Sequence, residues 1–84
     1  SIMARDKGPK RPTRDEYVLE EIGERLVEAH QEEVTVQLEV WFQRSITGRI
    51  VKMDSRTKLI HVEQKNGELE KVPFMDVMRV DNAS

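Results

Sequence analysis

The chain has 84 residues, 37% hydrophobic and 36% charged, with four aromatic side chains, no cysteine and a formal net charge of −2. A chain of this length holds one modest core, which excludes a multi-layer enzyme, and the lack of cysteine excludes a disulfide scaffold, a zinc ribbon and a thiol nucleophile. No apolar run nears the ~20 residues of a membrane span and no signal peptide stands out, so a soluble cytoplasmic protein without membrane contact is the expectation.

The small net charge hides a partition. Residues 1–14 carry Arg5, Lys7, Lys10, Arg11 and Arg14 against Asp6, a local +4, whereas residues 15–33 set Arg25 against eight acids, a local −7. A basic field over the whole molecule is absent, so any grip on nucleic acid must be local. Residues 1–12 contain two prolines, one glycine and few apolar side chains, too little to offset the entropy of ordering, and read as a flexible basic arm.

Thr13, Arg14, Asp15 and Glu16 fit a capping box with Thr13 as the cap. Val18, Leu19, Ile22, Leu26 and Ala29 then recur at helical spacing opposite Glu20, Glu21, Glu24, Arg25 and Glu28, which predicts an amphipathic helix over residues 14–30. The period changes to two at Val34, Val36, Leu38 and Val40, the pattern of a strand with one buried face. A turn falls within residues 40–44. A second strand follows over 45–53, a turn at 54–56, a third strand over 58–64, a tight hairpin at Asn66 and Gly67, a fourth strand over 69–74 and a short last strand over 77–80. Pro73 has no amide proton to donate and must face an edge or a bend.

Helix followed by five short antiparallel strands predicts an α+β, mainly β domain over residues 13–80, in which a strongly bent sheet curls into a small barrel, Sm-like or SH3-like, with the helix over one open end. Gly48 in mid-strand fits a sharp bend or a close backbone approach, and residues 81–84 read as a disordered tail.

Catalytic chemistry finds little footing. His30 suits the C-terminal end of the helix electrostatically and His61 stands alone in a strand, so neither belongs to a metal-ligating set. The helix acids Glu20, Glu21, Glu24 and Glu28 read as a solvated face. Ser45 and Ser55 have no base placed by a motif, and Gly8, Gly23, Gly48 and Gly67 are isolated rather than a phosphate loop. The expectation is a non-enzyme with no cofactor and no metal. Trp41 and Phe42, beside Gln43 and Arg44, make an aromatic and arginine grouping at the first hairpin, of the kind enriched at binding hot spots. The strand alternation puts Trp41 outside or at the tip, while Phe42 is the candidate to plug the barrel mouth as core. Trp41, Phe42 and Arg44 are therefore the candidate partner-binding residues. Arg5, Lys7, Lys10, Arg11 and Arg14 are the alternative, a phosphate-contacting arm.

The run ITGRIVKMD (residues 46–54), the ELEKVPFMDVMRV stretch (68–80) and the acidic helix DEYVLEEIGERLVEA (15–29) together resemble the YolD-like proteins of Gram-positive bacteria and their phages. The resemblance covers residues 13–80. It implies a small protein-interaction adaptor, an accessory factor to a Y-family DNA polymerase in the DNA-damage (SOS) response, or a phage-related regulatory factor. The helix-plus-five-strand order is also similar to Sm-like barrels. The alternative reading is thus an Sm-like RNA- or DNA-binding protein that forms homo-oligomers through its edge strands.

Overall fold

A computed structural model describes residues 12–43 and 45–83. The expected arm over residues 1–12 lies outside the described residues except for Pro12. Helix α1 (Glu16–Glu32) is followed by β1 (Thr35–Val40), β2 (Ile46–Asp54), β3 (Leu59–Gln64), β4 (Leu69–Pro73), a single 3-10 turn (Phe74–Asp76) and β5 (Val77–Asn82).

The helix starts two residues later than the spacing predicts. Asp15, not Thr13, is the N-cap, and its carboxylate accepts the Tyr17 amide at 3.2 Å. A carboxylate at this position also meets the positive end of the helix dipole, an advantage a threonine hydroxyl lacks. The helix ends at Glu33, which adopts the left-handed conformation (φ 55°) and donates its amide to the Ala29 and His30 carbonyls. Such a cap usually falls to glycine, and a residue with a Cβ there costs roughly 1–2 kcal/mol.

All five strands join one antiparallel sheet in the order β4-β3-β2-β1-β5. The expected closed barrel is not formed: among the described residues no ladder links β4 to β5, and the sheet is open with these two strands at its edges. Its curvature comes from two irregularities. In β2, Ile50 pairs with Val62 and Lys52 with His61, so Val51 is an extra, unpaired residue. In β5, Arg79 pairs with Glu39 and Val77 with Val40, so Met78 is extra. Each bulge bends its strand and switches which residues point inward. That switch explains why Val77 and Val80, three apart, are both buried, and why Ile50 is buried while Met53, not Lys52, packs on the core.

The core is aliphatic. Ile22, Leu26 and Ala29 of α1 pack on Val36, Leu38, Val40, Ile46, Ile50, Ile60, Val62, Val72, Val77 and Val80 of the sheet, with Val34, Met53 and Phe74 at its margin. Helix contacts fall mainly on β2 and β5, so α1 lies across the face of the sheet that carries the core side chains. Gly48 is required by close approach. A Cβ built there would stand 2.3 Å from the Glu63 carbonyl oxygen in the neighbouring strand.

The remaining turns follow local chemistry. The Asp54 carboxylate accepts the amides of Arg56 (3.0 Å) and Thr57 (3.3 Å) and so closes the β2-β3 turn. Those two amides, Thr57 first, hold the Asp54 carboxyl below its ordinary pKa. Asn66 accepts the Glu68 amide at 2.9 Å while Gly67 takes φ 88°, which closes the β3-β4 hairpin. Pro73 ends the edge strand β4, as the missing amide demands. The expected polar tail is shorter than residues 81–84, because Asp81 and Asn82 pair with Gln37 and Val36 and extend β5.

Candidate functional site: the aromatic hairpin corner

The β1-β2 turn is tied down at Val40, whose carbonyl accepts the Gln43 amide at 3.1 Å. Trp41 and Phe42 form the tip, with ring centroids 6.1 Å apart and planes tilted by 35°. Their roles are the reverse of the expectation. Phe42 is not core: the residue is 71% exposed, and its backbone is left-handed at φ 62°. Trp41 is the partly buried member, and its amide is drawn in to the Asp76 carbonyl at 2.7 Å. Two-residue alternation could not show this, since it stops at Val40, and only the tertiary bond to Asp76 sets how Trp41 leaves the strand. Arg44, the third expected partner residue, lies outside the described residues.

The 3-10 turn is the hub of this corner. Three successive carbonyls, two in the turn and the third on Val77 at the start of β5, accept from two distant segments. Arg14 donates its guanidinium to the Met75 and Val77 carbonyls, and the Trp41 amide donates to the Asp76 carbonyl between them. The planar fork of arginine spans two acceptors that a lysine ammonium could not. Arg14 is thus part of the fold, and its guanidinium is engaged rather than projecting from a mobile arm. Pro12 lies in the same shallow hollow as Glu39, Val40, Trp41, Phe42, Ser45 and Met78. The other arm residues expected to contact phosphate, Arg5, Lys7, Lys10 and Arg11, lie outside the described residues.

Other candidates are placed away from this corner and are not brought together. His30 sits in the last turn of α1, as its dipole preference predicts. His61 pairs in register with Lys52 on one side and Lys71 on the other, neighbours that disfavour a metal cation. Among the described residues no group of three or more His, Cys, Asp or Glu side chains is arranged to hold a metal. Glu20, Glu21, Glu24 and Glu28 are exposed on the outer face of α1. Ser45 and Ser55 are exposed too. Arg49 and Glu63, directly opposite on β2 and β3, form a cross-strand ion pair at 3.3 Å. No helix among the described residues is long and apolar enough to cross a membrane. The sheet edges are blunted: β4 is five residues long and ends in Pro73, and β5 carries the Met78 bulge, two devices that discourage strand pairing between molecules.

Fold and site together define a class: a small, mainly β domain with one N-terminal helix, an aliphatic core and an exposed aromatic corner. Comparison with protein families then assigns the chain to the YolD-like family, whose model, described as YolD-like protein, matches residues 2–81. The match extends the expected coverage into the basic arm. Neither curated proteins nor solved structures yield a match to this chain.

Proposed function

We propose that this protein is a non-enzymatic cytoplasmic adaptor whose hairpin corner, Trp41 and Phe42, docks on a protein partner. The partner that membership of the YolD-like family favours is a Y-family DNA polymerase in the DNA-damage response; a phage-related regulatory factor is the second member of that class. One observation carries the reading. Phe42 keeps a large ring in solvent on a left-handed backbone, where glycine or asparagine would be cheaper by roughly 1–2 kcal/mol. Exposed strain of this kind concentrates at binding sites, and aromatic anchors dominate interface energetics. The strand order, with a 3-10 turn between the two edge strands, supports kinship with Sm-like and SH3-like barrels, whose loops and edges serve as recognition surfaces.

The test mixes the purified protein with a Y-family polymerase from the same host, without DNA, and reads affinity by calorimetry. Phe42→Ala is expected to weaken binding by about 2 kcal/mol or more while leaving the unfolding midpoint undiminished. Normal affinity in that variant would remove the corner from the interface.

A further inference from the structure

The face of the sheet turned away from α1 distributes its charge unevenly. Ile60, Val62 and Val72 are buried in the core, so their neighbours His61 and Lys71 point outward, as does Lys52 between the buried Ile50 side of the bulge and Met53. Over most of that face acids and bases offset one another. Glu63 meets Arg49 at 3.3 Å, and Asp81 holds Arg79 at 3.0 Å with Glu39 in register opposite. One row breaks the pattern: Lys52 on β2 stands opposite His61 on β3, and His61 opposite Lys71 on β4. Among the described residues no ion pair engages any of the three. Asp54, the nearest acid along β2, has its carboxylate committed to the Arg56 and Thr57 amides. Cations placed directly opposite one another oppose sheet formation, so the row does not serve the fold.

We infer that the Lys52, His61 and Lys71 row binds the phosphate backbone of a nucleic-acid duplex, irrespective of sequence. An ammonium and an imidazole N–H are single-point donors that suit phosphate oxygens. The two arginines of the same face, whose planar forks suit carboxylates, are already paired with carboxylates. Spacing favours the same ligand. Two strand intervals put Lys52 and Lys71 about 10 Å apart, a length over which a duplex presents about six negative charges, one per ~1.7 Å of axis. An extended acidic peptide, with alternate side chains turned away, offers only about one or two there. No aromatic side chain lies in the row, so a single strand gains no stacking to offset its lower charge density. The acids of α1 stay behind the sheet, on the side of the core. The row also lies toward the end of β2 remote from the Trp41 and Phe42 tip, so a protein partner and a duplex can be held at once. The inference goes beyond the adaptor reading and does not depend on it.

The experiment uses the full 84-residue chain and a fluorescein-labelled DNA duplex of about 16 base pairs, with anisotropy read from roughly 20 to 200 mM salt. Lys52→Gln combined with Lys71→Gln should weaken binding about tenfold or more at the lowest salt and take about 1.8 off the log-log salt slope, since two phosphate contacts are lost. Only the difference from the parent is read, because cations outside the row contribute alike to both proteins. Arg25→Gln combined with Lys65→Gln changes the net charge equally but leaves the row intact, and should keep the parental slope. Both double variants alter exposed side chains and should keep the parental unfolding midpoint. Phe42→Ala should bind the duplex as the parent does. The inference is overturned by absence of binding at the lowest salt, by a parental slope in the Lys52 and Lys71 variant, by an equal loss in the Arg25 and Lys65 variant, by tighter binding of the matching single strand, or by equal competition from polyglutamate, which would assign the row to acidic proteins. Because no polymerase is present, these outcomes leave the adaptor reading to its own test.

Discussion

Replacing Gly48 with alanine adds one carbon where the structure has no space for it. The new Cβ would lie 2.3 Å from the Glu63 carbonyl oxygen and 2.9 Å from both the Glu63 carbonyl carbon and Val62 Cγ1. Ordinary contact needs about 3.5 Å, so the obstacle must withdraw by roughly 1.2 Å. That obstacle is backbone in the central strand β3, which is held on its far side by β4 and cannot swing away as a side chain would. Overpacking of this kind costs about 1–3 kcal/mol, and opening a ladder bond or two between β2 and β3 adds roughly 0.5–1.5 kcal/mol each. A total near 2–4 kcal/mol is a large part of the ~4–13 kcal/mol available to a domain this small, and corresponds to a fall in Tm of roughly 10–30 °C. The assay is urea unfolding followed by Trp41 fluorescence and by far-UV circular dichroism, which should report one transition at a lower midpoint. Gly23→Ala supplies the control of opposite sign. Its Cβ would meet the Phe74 ring at 3.9 Å, an ordinary contact, so removing a glycine from the helix interior should stabilise by about 0.8 kcal/mol. A Gly48→Ala midpoint within about 0.5 kcal/mol of the parent would refute the close-approach argument.

Arg14→Ala should lower stability by about 2 kcal/mol, because it removes charged donors from the carbonyls of Met75 in the 3-10 turn and Val77 just after it, and Arg14→Lys should recover only part of the loss; denaturation curves of the two variants check this, and parental stability in Arg14→Ala would show that the latch carries nothing. The Asp54 carboxyl, with its folded pKa held down by the Thr57 and Arg56 amides, contributes stability that is present above the ordinary carboxylate pKa and lost as pH falls through the lower folded value, on the acid side of about pH 4. Unfolding midpoints across that range should therefore fall more steeply for the parent than for Asp54→Asn, which keeps an acceptor oxygen but no titratable proton, and parallel acid limbs would contradict the assignment.

Local chemistry was enough to place the elements. Apolar spacing in residues 18–29 marked the helix, alternation marked β1, and Asn66-Gly67 and Pro73 marked a hairpin and an edge, because each of these signals acts within a few residues of itself. The family, too, was legible in the order of these local runs. Other features depended on partners distant in sequence. Val77 and Val80 point the same way only because Met78 is left over when β5 pairs with β1, and no pattern within β5 announces it. Closure of the sheet could not be inferred from strand count, since it turns on whether β4 and β5 meet, and they do not form a ladder. Thr13 looked like the cap until Asp15, with its full charge at the helix end, took that place. The exchange of roles between Trp41 and Phe42 has the same origin. Residue type made both of them candidates, but the Trp41 amide bond to Asp76, across thirty-five positions of chain, decides which ring is drawn in and which is left in solvent. The meeting of Arg14 with the aromatic tip is likewise a tertiary fact, because it depends on the carbonyls of Met75, Asp76 and Val77, which lie more than thirty residues from either donor.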